Sequence, residues 1–309
     1  MGKITKISEE TPDMKVFSVE RNSFTKTFKS GQFVSIGVKI NNNIERRSYS
    51  LVSIDSEKDI SFMVKKIPNG LVSSYLHDNI KENDSLLLGE VCGNFVLDES
   101  NKNLLLLSGG SGITPVMSML RDIKNKNIDC NLVFLHAAKS YNDIPFKSEF
   151  EELQKDKRFK FIFLIEDMHG RPNPNALKEL VPDILDRLTF MCGPTGMLDS
   201  ISNLWQNNES KLIVERFTLS LPKDSSSQKF KLYLNHKEIY INKSETILSS
   251  LEKEGIYHPS SCRAGLCNMC SCKKISGITK DISNTLVSHK SEDIKVCVSI
   301  PESDIKLNI

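Results

Sequence analysis

Three cysteines in close succession, Cys262, Cys267 and Cys270, followed by Cys297 in a later apolar run, constrain this chain more than any other feature. Five of the eight cysteines fall between Cys262 and Cys297. Thiols crowded in this way point to metal ligation more than to disulfides. Their sulfurs have to converge, so the backbone around them must form a tight loop, and Gly265 suits a place where a side chain would hold the backbone away. Cys272 is an extra thiol two residues past Cys270, expected to be a small buried side chain rather than a ligand.

At 309 residues the chain exceeds one typical core and suggests two or three domains. Residues 1–100 hold short apolar runs broken by turn residues: Met14–Glu20, Phe33–Ile40, Arg47–Ile54, Ile60–Ile67 and Ser85–Glu90. This spacing predicts an antiparallel β-barrel, with a helix at Leu71–Asn79. From residue 101 to 218 the pattern changes. Asn103–Ser108, Cys130–Ala137, Lys160–Ile165 and Leu188–Cys192 read as buried parallel strands, the last of them closing the sheet. Helical segments near Pro115–Lys126, Ser148–Lys155, Ala176–Val181 and Gly196–Asn207 lie between or after them, which predicts a doubly wound α/β domain. Residues 219–228 lose periodicity and read as a linker. Residues 229–309 begin with a hairpin, Phe230–Leu234 and Glu238–Ile241, turning at Asn235–His236. A helix, Thr246–Glu254, follows and ends at Gly255, with Cys297 expected on the strand VCVSI.

Forty-one basic residues against 39 acidic leave a net charge of +2, which gives no footprint for nucleic acid. The N-terminus MGKITKISEE lacks a signal peptide's apolar core, and no run approaches the roughly 18–20 apolar residues of a membrane helix. A cytoplasmic protein without membrane insertion is expected.

The motifs carry the chemistry. The spacing C-x4-C-x2-C with a distant fourth cysteine is the ligand pattern for a plant-type 2Fe–2S cluster on Cys262, Cys267, Cys270 and Cys297; structural zinc on the same four is the alternative. Strand Asn103–Ser108 runs into Gly109-Gly110-Ser111-Gly112-Ile113-Thr114-Pro115, glycines that let backbone N–H groups approach a phosphate. Arg47-Ser48-Tyr49-Ser50 opens a strand, Gly70-Leu71-Val72-Ser73 opens a helix, and Met191-Cys192-Gly193-Pro194 ends one. Each of these, taken alone, also reads as ordinary packing or a solvated charge.

Together and in this order, these motifs resemble the ferredoxin–NADP reductase superfamily joined to a plant-type ferredoxin, whose loop PSSCRAGLCNMC is similar to. Asn268 departs from the small residue common there. The resemblance implies a flavin barrel, a nucleotide domain and an α+β β-grasp ferredoxin domain. It places Tyr49 against the isoalloxazine, Ser50 near its redox-active nitrogen and Arg47 on a flavin phosphate, a task for a planar cation. Ser48 belongs to the same motif. Gly70, Val72 and Ser73 at a helix N-terminus suit a pyrophosphate, hence FAD. The phthalate dioxygenase reductase type, which uses FMN, is expected to differ at this loop and in domain order. Val64, Lys65 and Lys66 lie on the strand expected to meet the adenosine half, although both lysines also read as exposed.

The same resemblance makes Gly109, Gly110, Ser111, Gly112 and Thr114 the NAD(P)-binding loop. Cys192, with Gly193 and Pro194, then stands beside the nicotinamide, and Glu215 near the flavin–nicotinamide pair. Between NADH and NADPH the residues decide little. No acid follows His136-Ala137-Ala138 at that strand's tip, and Lys139 suits a 2′-phosphate; the domain order favours NADH. The implied function is electron transfer from NAD(P)H through FAD and a 2Fe–2S cluster to a redox protein acceptor such as an oxygenase, hydroxylase or hybrid-cluster component. A regulatory flavin and iron–sulfur subunit that does not turn over NAD(P)H is the alternative, against which the glycine loop and Cys192-Gly193-Pro194 argue.

Overall fold

Apolar side chains recurring along the first ninety residues fold into a six-stranded antiparallel sheet: β1 (Gly2–Thr11), β2 (Met14–Glu20), β3 (Phe33–Ile40), β4 (Asn43–Ser50), β5 (Asp59–Lys65) and β6 (Ser85–Cys92), in the order β4-β3-β6-β1-β2-β5. The computed structural model describes residues 1–21, 27–217, 228–235, 237–283 and 286–309, in two units, Met1–Phe217 and Thr218–Ile309. Just past β4, Leu51 bridges Phe62 of β5 and the Val52 N–H donates to the Ser61 carbonyl (2.7 Å), so the outer strands meet and the sheet closes as a barrel. Phe17, Val34, Ile36, Ile60, Phe62 and Val64 fill it, each burial contributing about 1.5–3 kcal/mol. Helix α1 (Leu71–Asn79) covers one end with Val72 and Leu76.

Two barrel expectations shift. The strand placed at Arg47–Ile54 begins at Asn43, because Asn41 (φ 48°) and Asn42 (φ 67°) form a two-residue hairpin turn that pairs Ile40 with Asn43. Asparagine tolerates that left-handed backbone, as this kind of turn requires. β1, too charged to register as an apolar run, is a full barrel strand.

The parallel sheet comprises β7 (Asn103–Gly109), β8 (Asn131–Ala138), β9 (Phe159–Ile165), β10 (Leu188–Cys192) and β11 (Leu212–Glu215), in the order β11-β10-β7-β8-β9. The expectation that Leu188–Cys192 closes the sheet is therefore corrected: β11 lies outside it, parallel, with Glu215 opposite Cys192. Helices α2 (Ile113–Asn125) and α3 (Lys147–Leu153) cover one face; α4 (Glu166–His169) follows β9, and α5 (Pro174–Leu180) and α6 (Thr195–Ile201) cover the other. This is the doubly wound arrangement, with its topological switch point between β7 and β10.

The barrel and the parallel sheet share one apolar cluster, in which Met14, Val52, Met63 and Phe95 meet Val116, Leu120 and Phe190. Polar contacts pin the same junction: Ser30 Oγ donates to Asp122 (2.6 Å), the Gly31 N–H to Ser118 Oγ (2.8 Å), and Arg121 to the Val52 carbonyl (3.0 Å).

The expected linker 219–228 falls, save Gln228, outside the described residues, as does His236 of the expected turn. In the second unit, β12 (Lys229–Tyr233), β13 (Glu238–Asn242), β14 (Ser271–Ser276), β17 (Glu292–Lys295) and β19 (Ile305–Asn308) form a mixed sheet, and β15 (Thr279–Asp281), β16 (Val287–Ser288) and β18 (Ser299–Pro301) a smaller one. Helix α7 (Ile247–Lys253) lays Ile247, Leu248 and Leu251 on the larger sheet, the β-grasp arrangement. Thr246 caps it through the Ser249 N–H, and Gly255 takes the left-handed backbone expected of it (φ 69°). Cys297 lies on a turn between β17 and β18, where the Val298 N–H donates to the Lys295 carbonyl (3.0 Å), not on a strand as expected. Val296–Val298 is buried because it packs on α7 and β14, and a buried apolar run carries no period to distinguish turn from strand.

Candidate functional site

At the end of β4 the ring of Tyr49 stacks on Phe62 (centroids 5.4 Å apart), and burial pushes its phenol above the usual range against the pull of Arg47. Arg47 donates to the Arg46 carbonyl (2.7 Å) and lies 3.7 Å from Glu45. Ser50 Oγ approaches Glu215 Oε2 at 3.4 Å, joining barrel to parallel sheet. Glu215 in turn neighbours Cys192. Burial pushes the Glu215 carboxyl up to about 7, opposed by the Ser50 hydrogen bond. Burial first, and then the Glu215 charge, push the Cys192 thiol well up. Ser50, Cys192 and Glu215, widely separated in sequence, are thus brought together, with Tyr49 beside Ser50 on β4. The thiol stays neutral near pH 7, while the carboxyl changes charge there.

Cys192 ends β10, and the end of β7 lies beside it through Ser108. Gly110–Gly112 forms a single 3-10 turn leading into α2, and Thr114 Oγ1 donates back to the Ser111 carbonyl (2.8 Å). Gly193 and Pro194 lead into α6, with Pro194 as its N-cap. Ligands of open α/β sheets bind at such a switch point, outside the carboxyl ends of the strands. The glycine loop and the Cys192 end therefore suit a dinucleotide.

The flavin motif divides. Gly70 caps α1 without any side-chain cap and no acid stands in the first turn, which fits a pyrophosphate. Ser73 Oγ turns back to accept from the Ile67 N–H (3.2 Å). Val64 and Val72 are wholly buried in the barrel core, and the Val64 carbonyl accepts from His77 Nε2 (2.8 Å). Lys65 pairs with Asp13 (3.1 Å) and Lys66 with Asp78 (2.6 Å).

The cysteine loop holds two thiol pairs. Cys270 and Cys297 have sulfurs 3.0 Å apart, and Cys262 is hydrogen-bonded to Cys267. The N–H groups of Leu266 (3.2 Å), Cys267 (3.3 Å) and Ala264 (3.5 Å) converge on Cys262 Sγ. The partner thiol's hydrogen bond, followed by those amides, pushes Cys262 down to about 5; Cys297 pushes Cys270 down to about 7. Two dithiol pairs fit a centre of two irons, each taking two thiolates, better than one zinc ion. Among the described residues no three His, Cys, Asp or Glu side chains converge as a single-ion site requires. Arg263 (φ 52°), Gly265 (φ 74°) and Asn268 (φ 57°) all take left-handed backbone, which accounts for Asn268 where a small residue was expected. Cys272 lies on β14, its thiol pushed up to about 12 by burial and then by the neighbouring Cys270, as an inert packing residue should be.

Family models match the chain in three consecutive stretches: an oxidoreductase FAD-binding domain over residues 1–96, an oxidoreductase NAD-binding domain over 106–203 and a 2Fe-2S iron-sulfur cluster binding domain over 232–302. The chain has the architecture of an NAD(P)H, FAD and 2Fe–2S reductase. The reductase is 29% identical over 318 residues to an NADPH oxidoreductase of Mycobacterium tuberculosis, covering 100% of this chain and 84% of that one. It is 28% identical to the glycine betaine monooxygenase reductase subunit of Pseudomonas aeruginosa, covering 98% of this chain and 93% of the other. Its fold matches a phthalate dioxygenase reductase structure with a TM-score of 0.68 at 23% identity, over 100% of this chain and 97% of that one. That end-to-end match corrects the expectation of a different domain order in that type. No helix among the described residues is long and apolar enough to cross a membrane.

One expectation about the reductase's nucleotide pocket changes. The sequence places no acid at the tip of β8, yet the Asp167 N–H donates to the Lys139 carbonyl (3.1 Å), so Asp167 and Glu166 of α4, the latter paired with Arg171 (2.6 Å), lie beside that tip. A parallel sheet sets the end of β9 beside that of β8, and no reading of one strand end alone reveals it.

Proposed function

We propose that the chain takes hydride from NADH onto FAD at the cluster formed by Tyr49, Ser50, Cys192 and Glu215. Electrons then pass singly through a 2Fe–2S centre on Cys262, Cys267, Cys270 and Cys297 to a redox protein acceptor, an oxygenase or hybrid-cluster component. The observation that carries this reading is the Ser50–Glu215–Cys192 contact, which gathers three sequence-distant motifs at the switch point. A bound flavin supplies the conversion between two-electron and one-electron transfer. The chain's own residues orient the partners and keep water out. Cys192 packs beside the nicotinamide as a neutral thiol, Glu215 holds or releases a proton next to Ser50 Oγ, and Arg47 holds the flavin phosphate. The N–H groups at Gly70–Ser73 take the pyrophosphate, and Gly109–Thr114 takes that of the nucleotide. Lys66 borders the adenosine half.

Asp167 supports NADH, because a carboxylate at a strand tip accepts ribose hydroxyls and repels a 2′-phosphate, whereas Glu166 is paired with Arg171 (2.6 Å). The Pseudomonas relative, named as a monooxygenase's reductase subunit, supports a protein acceptor. The test is reduction of ferricyanide and cytochrome c by the pure protein with each nucleotide, together with acid release of the flavin. NADH should outperform NADPH, and FAD should be recovered without FMN. Failure of both nucleotides to bleach the flavin would overturn the reading in favour of a subunit without turnover.

A further inference from the structure

The cluster loop is tied to the opposite strand by a single side chain. Lys295, on β17 opposite Ser271 of β14, donates its ammonium to the Gly265 carbonyl (2.5 Å). Gly265 lies between Cys262 and Cys267 in the cluster loop. The lysine therefore meets the loop between two of its ligand cysteines. A side chain could not stand at that point without strain: φ is 74°, and a β-carbon would come 3.2 Å from the Val298 methyls. Lys295 is half-buried, and among the described residues no carboxylate pairs with it. Its charge thus reaches the donor set unneutralised, two residues ahead of Cys297.

Reducing an iron–sulfur centre adds negative charge, and net charge nearby and hydrogen bonds to the sulfurs set its potential. We propose that Lys295 raises the midpoint potential of the cluster, its ammonium favouring the reduced state through the Gly265 contact. This rests on the reading that the four cysteines hold a 2Fe–2S centre. The consequence is functional: the centre is set to draw electrons from the flavin rather than to return them.

The experiment uses the full chain, with iron and sulfide content, the visible spectrum and a potentiometric titration followed by EPR of the reduced centre. Lys295→Met should keep wild-type iron and shift the midpoint downward by about a tenfold change in the reduction equilibrium, about 59 mV for one electron. Lys295→Arg should restore the wild-type midpoint. Lys295→Gln, which keeps a donor for the Gly265 carbonyl but no charge, should shift like Lys295→Met and decides the matter if Lys295→Met loses iron. An unchanged midpoint in Lys295→Gln with full iron content overturns the proposal. A wild-type chain that binds no iron sinks the cluster reading itself, and this proposal with it.

Discussion

A β-carbon added at Gly112 would stand 2.3 Å from the Cys192 carbonyl oxygen and 2.6 Å from the Gly193 nitrogen, so the glycine loop and the end of β10 touch backbone to backbone. Neither backbone can yield as a flexible side chain would. Gly112→Ala is expected to cost about 1–3 kcal/mol as overpacking and to slow flavin reduction by NADH at least roughly tenfold, since small displacements in a reacting pair cost much in rate. Thermal melting and stopped-flow flavin absorbance read both effects on one sample. A variant that melts and reacts like the wild type would show that the contact does not position the site.

Cys192→Ala tests the neighbouring side chain. A thiol touching the nicotinamide should, when shortened, slow flavin reduction by up to roughly 100-fold with FAD and iron content unchanged. A packing thiol would give the opposite pattern, a lower melting temperature with the hydride rate intact. That outcome would remove Cys192 from the site.

The fold was legible where chemistry is local. Cys262–Cys270, the glycine loop and Leu71–Asn79 declare themselves by spacing, because their residues act within one turn or loop. What escaped depends on lateral neighbours. β11 has four half-buried residues, too few to show a period, and its meaning comes from Glu215 lying opposite Cys192. Glu166 and Asp167 gain theirs by lying beside a strand tip nearly thirty residues earlier. Lys295 reads as an ordinary strand lysine until the loop folds onto it. Tyr49, Ser50 and Glu215 enter the expected site only because several motifs occur in a recognisable order.

Removing one cluster ligand separates the two halves of the electron path. Cys267→Ser should lose iron and cytochrome c reduction while keeping most NADH-to-ferricyanide activity, because hydride entry lies in the other unit. Cys272→Ser should retain both irons and the wild-type spectrum, its thiol being packed against the sheet. Iron assay and visible absorbance suffice. Iron loss in Cys272→Ser would make that residue a ligand.

The last expectation concerns acid stability and pairs two groups in one row of the sheet, where His136, Ser108, Cys192 and Glu215 lie laterally opposite one another. His136 is fully buried; its Nδ1 meets Ser108 Oγ (2.9 Å), its Nε2 has no partner, and burial lowers it from 6.5 to about 3. The unfolded chain then binds the extra proton, so this histidine's contribution is intact above pH 6.5 and is lost as pH falls toward 3. Glu215, raised from 4.5 to about 7, acts in the opposite sense: the folded state binds the extra proton, and its contribution, full below pH 4.5, is lost as pH rises through 7. Between pH 4.5 and 6.5 the two slopes, each about 1.4 kcal/mol per pH unit, cancel. Trp205, the single tryptophan, is buried in this domain's core and reports its unfolding. Relative to the wild type over that window, His136→Phe should gain stability as pH falls, Glu215→Gln should lose it, and the double variant should run parallel to the wild type. Glu215→Gln should also flatten the pH dependence of flavin reduction near 7. If neither single variant changes slope, both groups titrate alike in the folded and unfolded chains, and the buried row does not hold their charges as described.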